Sequence, residues 1–458
     1  MLTIISLTLL GVLILAEGML GKKNWLLPTI LAGLLIAFVL TLTGWNKSLH
    51  FYNEMLIIDN ASITFSALLI FLTFTIFLFA SHYYNHVVRP LDDIYAILIF
   101  ALAGSVMMTG FGNLVILFLG IETLSIALYV LAGSHKEAIT SNEATLKYFL
   151  MGSFLSGFLL FGIALIYGAS GSLNMEEISR YTLRESGHLS PMFQAGLFLL
   201  IAGLAFKIAI VPFHFWAPDV YEGTPTLLTA FMATVVKVAS IVALFRLFSN
   251  CFSSIREIWV PTLWILAVLT ILAGNFTGLY QPGLKRMLAY SSISHSGYMM
   301  IAIIAFSTRS PAALLLYAAA YSVATVTAFG ILILIKSSKG SDQFTSFEGI
   351  AKKNPVEALC LTISMLSLTG IPPLAGFVAK YYLFTTALEQ GYLWLVIIAI
   401  TGSALSVAYY FKPIIAMYLK EGDGIKLESG TGYKAVIVAL TILTLVLGLL
   451  PAFLINLL

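Results

Sequence analysis

The sequence is poor in charge. Only 10% of its 458 residues are Asp, Glu, Lys or Arg, where an ordinary soluble domain has about 25%. There is too little polar side chain to coat the surface of two soluble domains, which excludes a water-soluble enzyme and a disordered chain. The net charge of +3 is small and scattered, so no phosphate-binding footprint exists and a nucleic-acid partner is excluded. Cysteine is nearly missing. Cys251 and Cys360 are the only two, too few for a disulfide framework or an iron–sulfur cluster. No CxxCH haem motif and no GxGxxG loop occurs, so the chain is expected to carry no redox cofactor or metal of its own.

What is present is hydrophobicity, at 60% of residues, gathered into continuous runs of the roughly 20 residues that cross a bilayer as helix. The runs lie near 2–20, 25–44, 61–82, 93–110, 112–132, 144–169, 191–213, 224–249, 257–276, 284–306, 311–336, 354–388, 391–419 and 433–456. They predict an all-α membrane protein of about fourteen transmembrane helices, numbered here 1 to 14. They do not alternate, which argues against a strand-built barrel. Lys22 and Lys23 follow the first run rather than precede it, so that run reads as a retained helix and not a cleaved signal. Loops after odd-numbered helices hold about thirteen Lys and Arg, Arg89 among them, against six after even-numbered ones. The odd loops are therefore expected in the cytoplasm and both termini outside. Segment 170–190, with Glu176, Glu177, Arg180 and Arg184, is read first as a solvated loop, with a short surface helix or a neighbour contact as the alternatives.

Five lysines fall inside the runs or at their edges: Lys147, Lys207, Lys237, Lys380 and Lys412. Glu122 sits within FLGIETLSIALYVL. A charge at bilayer depth costs at least ~2.5–3.5 kcal/mol on the insertion scale, so such residues are paired or functional. Lys147 and Lys412 are equally well read as side chains snorkelling from a helix end. Lys207, Lys237 and Lys380 are too deep for that. His295 lies in LKRMLAYSSISHSGYMM with Ser291, Ser292, Ser294 and Ser296 around it. A lone histidine is ordinarily a core residue, but one set among serines suits a hydrated proton track. Lys285 and Arg286, which start that helix, read as cytoplasmic anchors.

Prolines interrupt two runs. Pro212 and Pro218 fall in FKIAIVPFHFWAPDVYEGTPT, and Pro372 and Pro373 in LTGIPPLAGFVAK. Proline removes a donor and clashes with the carbonyl four residues earlier. Each interruption has a lysine close by, Lys207 or Lys380, and the two helices are five apart in order. The layout predicts two inverted five-helix repeats, helices 4–8 and 9–13, with helices 7 and 12 broken mid-membrane. The corresponding divisions are residues 1–92, 93–250, 251–420 and 421–458. His214, beside the first break, is a weaker candidate for a channel mouth.

These segments also resemble a family. FLGIETLSIALYVL, FKIAIVPFHFWAPDVYEGTPT, LKRMLAYSSISHSGY and LTGIPPLAGFVAKYY are similar to the proton-antiporter-type membrane subunits of respiratory complex I, the bacterial NADH–quinone oxidoreductase, and the likeness runs along the whole chain. The family holds three sister complex I subunits together with subunits of sodium/proton antiporters and membrane-bound hydrogenases. The runs end at the fourteenth, without the lateral helix of the largest sister, and position 380 is lysine where another sister has glutamate. The resemblance implies proton translocation driven by electron transfer elsewhere, with FMN, iron–sulfur clusters and quinone in partner subunits. The partners would be other complex I membrane subunits, in a bacterial inner membrane. It implies Glu122 as the helix 5 carboxylate paired with Lys207. Lys237 would be a central station, and His295 with Ser291 and Ser294 would bridge through water to Lys380 at the exit.

The scale is reasonable. A carboxylate roughly 7 Å from an ammonium, at an effective dielectric of roughly 20, acts on it with about 2.4 kcal/mol. That field decides whether a buried lysine holds its proton, whereas arginine would stay charged regardless. The alternative reading is a subunit of a sodium/proton antiporter. A small-metabolite carrier lacks a substrate pocket in this pattern, and a purely structural scaffold leaves the mid-helix ionisable groups unexplained.

Overall fold

The computed structural model describes residues 1–84, 91–185, 187–422 and 424–458. Arg89, counted above among the loop cations, lies outside them.

The chain is nearly all helix. In order the elements are α1 (Leu2–Met19), α2 (Lys23–Leu42), the short antiparallel strands β1 (Leu49–Phe51) and β2 (Leu56–Ile58), α3 (Asn60–Tyr84), α4 (Leu91–Met107), α5 (Leu114–Ala132) and α6 (Ile139–Ser170). There follow α7 (Met175–Arg184), α8 (Pro191–Lys207), α9 (Trp216–Gly223), α10 (Thr226–Phe231) and α11 (Lys237–Asn250), the last two joined by a π-helical turn, Met232–Val236. Then come α12 (Arg256–Gly278), α13 (Leu284–Ala305), α14 (Ser310–Lys339), α15 (Ile350–Lys353), α16 (Pro355–Thr369), α17 (Ala375–Glu389), α18 (Leu393–Tyr418), α19 (Thr431–Leu449) and α20 (Ala452–Ile455).

Among the described residues eleven helices are long and apolar enough to cross a membrane, counting Thr226–Asn250 as one. The remaining three apolar runs are α4, which has 17 residues, and the two proline-interrupted ones. The run at 191–213 stops at Lys207 and resumes as α9; the run at 354–388 stops at Thr369 and resumes as α17. Two expectations need correction. Segment 170–190 is not simply a loop: Asn174 caps α7 by accepting from the Glu176 amide, Glu176 and Glu177 fill its first turn, Arg184 closes its last, and Met175, Ile178 and Thr182 are buried. Charges placed along the helix dipole and one apolar stripe explain what reading by composition missed. Lys285 is likewise not a surface anchor. It is buried and donates to the carbonyls of Glu222 and Thr224.

The helices gather into two compact units. One comprises the described residues of 1–74, 89–216 and 235–266, the other those of 75–88, 217–234 and 267–458. The first is built on close approach of glycines. A Cβ on Gly104 would lie 2.7 Å from the Gly120 carbonyl oxygen, bringing α4 onto α5, and Gly162 and Gly196 stand in the same relation between α6 and α8, at 2.8 Å each way. Apolar burial gives little drive between helices in lipid, so small residues that admit backbone contact set the packing. The second unit is organised on α14, which protein encloses along its membrane-length window. A helix apolar on all sides belongs in such a position.

Candidate functional site

In the first unit, α5 carries Glu122, Ser125 and Tyr129 at the i, i+3, i+7 spacing that shares one helix face. Asn113 caps the start of α5, accepting from the Val115 amide at 2.8 Å. Lys207 is the last residue of α8. Pro212 cannot donate to the Ile208 carbonyl, and the chain turns at Ala209 with φ of 55°. The Trp216 indole donates at 3.1 Å to the Phe206 carbonyl, which also accepts from the Ala209 amide at 3.0 Å, and stacks on Tyr148 at 4.6 Å, which fixes the break. The Lys207 ammonium is buried and donates to Ser125 Oγ at 2.7 Å and Tyr129 Oη at 3.4 Å. Glu122 accepts from Ser156 Oγ at 2.6 Å, and Tyr129 lies beside Ser156 and Ser125. Hydroxyl groups thus stand between Glu122 and Lys207, Ser125 and Tyr129 at the lysine and Ser156 at the carboxylate.

Lys237 is buried and is the first residue after the π turn. Such a turn frees carbonyls from the α ladder and recurs at functional sites. In the second unit Tyr221 donates to the Met232 carbonyl at 3.3 Å and Tyr321 to that of Ala233 at 2.8 Å.

The second break has its own lysine. Pro372 and Pro373 would sit four residues past Leu368 and Thr369, and neither has an amide proton to offer. Lys380 Nζ supplies both bonds, at 2.9 Å to the Leu368 carbonyl and 2.8 Å to that of Thr369, and gives a third to Ser403 Oγ at 2.9 Å. The carbonyl end of α16 also carries the negative end of the helix dipole, which favours a cation. The ring of Tyr298 lies 5.3 Å from Nζ.

His295 is enclosed by tyrosines. Its Nδ1 bonds Tyr317 Oη at 2.8 Å and its Nε2 bonds Tyr410 Oη at 3.1 Å, and Tyr410 in turn bonds Ser291. A cavity of about 10 Å³, lined by His295, Tyr317, Tyr321, Ser367 and Lys380 among others, separates the imidazole from the lysine. That is the size of a single water-sized probe. Ser291 therefore joins the network. Ser294 does not: its hydroxyl donates to the Tyr290 and Ser291 carbonyls of its own helix.

Other candidates fall elsewhere. Lys147 pairs with Glu143 at 2.6 Å with its side chain 40% exposed, off the buried line. His214 is buried beside the first break. Lys412 donates to the Leu279 carbonyl at the end of α12. Arg246, counted above as a loop cation, is buried, bonding Asp59 at 2.7 Å and the Phe111 carbonyl at 2.9 Å. Sequence reading missed Ser125, Tyr129, Ser156, Tyr317, Tyr410 and Ser403. Only the Glu122–Ser125–Tyr129 spacing offered a signal. Among the described residues no group of three or more His, Cys, Asp or Glu is placed to hold a metal.

Two interrupted helices, each presenting a buried ammonium to hydroxyls or freed carbonyls, define a multi-pass membrane protein of the ion-translocating kind. The chain belongs to the NADH:quinone oxidoreductase/Mrp antiporter transmembrane family, which residues 112–406 match. It is 43% identical to the NADH-quinone oxidoreductase subunit N of Flavobacterium johnsoniae, over 100% of this chain and 99% of that protein. It superposes with a TM-score of 0.84 on a chain of the respiratory complex I from Thermus thermophilus with bound aureothin, 32% identical and covering 99% of this chain and 98% of that one. A chain of the membrane-bound sulfane sulfur reductase, an archaeal respiratory membrane complex, superposes with a TM-score of 0.90 at 26% identity, covering 100% of this chain and 95% of that one.

Proposed function

We infer that this chain is the proton-translocating membrane subunit of an NADH–quinone oxidoreductase. It carries protons through Glu122, Lys207, Lys237, His295 and Lys380 while electron transfer runs in partner subunits that hold FMN, iron–sulfur clusters and quinone. The observation that carries the relay is the hydroxyl chain between Lys207 and Glu122. A proton leaving the Lys207 ammonium passes to Tyr129, whose own proton passes to Ser156 and that of Ser156 to the Glu122 carboxylate. The end state is a neutral amine and a carboxylic acid, which removes the buried ammonium and the half-buried carboxylate charge at once. Full-length identity to proteins named as subunit N supports placement in complex I, beside related antiporter-like subunits in an inner membrane with both termini outward.

Two inverted repeats over 93–250 and 251–420 belong to the same reading. The parallel between the breaks supports them: each follows a helix end, Lys207 and Thr369, with a residue of positive φ, Ala209 and Gly370, and then proline. The test is an assembled complex carrying Lys207→Ala, assayed for proton pumping and quinone reduction. Both are expected to fall; undiminished rates would overturn the relay. Co-purification in mild detergent separates this reading from a sodium/proton antiporter, since only the oxidoreductase brings flavin and iron–sulfur subunits.

A further inference from the structure

Glu357 is a buried carboxylate that the relay above does not use. It opens α16, its side chain is 4% exposed, and its partner is Lys434 of α19 at 2.9 Å, whose own side chain is 41% exposed. A carboxylate buried so close to the end of a membrane helix needs a reason, because burying a charge is not stabilising in itself even where a partner is near. The surroundings supply one. Lys434 lines an open surface depression of about 530 Å³ with His82, Lys426 and Glu428, so the outer end of the pair is wet.

From Glu357 inward, α16 presents Cys360, Ser364 and Ser367, at i+3, i+7 and i+10 on one helix face. All three are buried, and Ser364 Oγ donates to the Cys360 carbonyl of its own helix at 2.9 Å, so it marks the polar face and leaves the transfer there to water. Thr441 of α19 lies beside the Cys360 thiol across the interface, its own hydroxyl donating to the Ile437 carbonyl at 2.9 Å. Ser367 accepts from the Gly376 amide at 3.1 Å and lines the cavity between His295 and Lys380. The line therefore begins at a solvent-filled mouth and ends at Lys380. Its length is about 15 Å at the α-helical rise, in steps of roughly 5–6 Å that one water each would span.

We propose that Glu357 is the proton-uptake carboxylate of the second unit, feeding Lys380 along the polar face of α16. This rests on the relay reading of Lys380. A proton from the medium adds to the Glu357 carboxylate, displacing its pairing with Lys434. It moves by hydroxyl and water transfer past Cys360, Ser364 and Ser367 and ends on the Lys380 amine, which becomes an ammonium as the Glu357 carboxylate is restored. The mouth lies at the end of α16 reached from the lysine-bearing segment 336–353, the side that the positive-inside rule makes cytoplasmic.

The experiment uses the whole complex reconstituted in vesicles, with three variants: Glu357→Ala, Glu357→Asp and Lys380→Ala. Glu357→Ala is expected to slow pumping roughly 10-fold, less than the full effect of losing a positioned acid because water still reaches the mouth. Glu357→Asp should keep most of the rate. Azide in the medium, a small diffusible acid, should restore Glu357→Ala relative to the same addition to the unsubstituted complex, and should leave Lys380→Ala unrestored. A purely structural ion pair would not respond to azide. An assembled Glu357→Ala complex that pumps normally, or one that is slow and insensitive to azide, overturns the proposal. Normal pumping by Lys380→Ala instead overturns the relay on which it rests.

Discussion

The Lys380 ammonium occupies the place of the amide proton that Pro373 lacks. The Thr369 carbonyl, four residues before that proline, receives its hydrogen bond from Nζ at 2.8 Å, and the Leu368 carbonyl, four before Pro372, is served in the same way at 2.9 Å. One side chain therefore completes a broken helix, and the proposed relay asks the same ammonium to be a station for a proton.

The two roles come apart under substitution. Lys380→Met leaves the Leu368 carbonyl without a donor, at about 1–3 kcal/mol, and the Thr369 carbonyl with Ser403 Oγ alone at 3.0 Å; it is expected to lower both pumping and the amount of complex recovered. Lys380→Arg keeps donors in reach but stays charged at all working pH. It should assemble nearly normally, judged by native electrophoresis of solubilised membranes, and fail to pump, judged by a fluorescent pH probe in inverted vesicles. Equal assembly of both variants would contradict the helix-completing role.

Tyr129→Phe removes one hydroxyl and leaves the ring, whose edge contacts with Tyr148 and Phe149 persist. It should assemble fully and slow pumping by roughly 100-fold, the low side of what a positioned proton-transfer group contributes. Ser156→Ala should do the same by cutting the link at its other side. The solvent deuterium effect on pumping checks that the lost step is proton transfer.

Gly162→Ala introduces a methyl group 2.8 Å from the Gly196 carbonyl oxygen. Neither backbone can yield without parting α6 from α8, so a loss of about 1–3 kcal/mol is expected. A lower thermal denaturation midpoint of the solubilised complex would register it. Because α8 carries Lys207, pumping per assembled complex should fall as well.

The two serines of α13 should differ. Ser291→Ala deletes the partner of Tyr410, which holds His295 Nε2, and should slow pumping. Ser294→Ala deletes a hydroxyl whose bonds run to carbonyls of its own helix, and should be close to silent. Vesicle pumping assays on the two variants side by side decide the matter.

Most of the architecture could be read from the residues. Apolar runs of bilayer length locate helices because nothing else satisfies backbone polar groups in lipid, and Pro212 and Pro373 announce breaks through lost donors. The depth of Lys207, Lys237 and Lys380 followed from the length of apolar helix around them. The small hydroxyls were harder. Ser125, Tyr129 and Ser156 occur on apolar helices as readily for packing as for hydrogen bonding, and only the three-dimensional register of α5 against α6 and α8 brings them together. Lys285 and Arg246 were misjudged for a related reason. Both stand near helix ends, where a cation usually reaches water, but here Lys285 caps the carbonyls after α9 and Arg246 meets Asp59. The π turn before Lys237 has no residue signature, since its freed carbonyls are answered by tyrosines, 221 and 321, distant in sequence.

The three bonds of Lys380 carry one more consequence. An ammonium has three hydrogens, and here all three are engaged, by Leu368, Thr369 and Ser403. A neutral amine has two hydrogens and a lone pair. Without the third proton, the amine can give its two hydrogens to the Leu368 and Thr369 carbonyls while Ser403 turns its hydroxyl from the Thr369 carbonyl to the lone pair. The rotor of one serine is therefore tied to the charge of one lysine: the hydroxyl that now serves a carbonyl is the group whose direction distinguishes an ammonium from an amine in this seat.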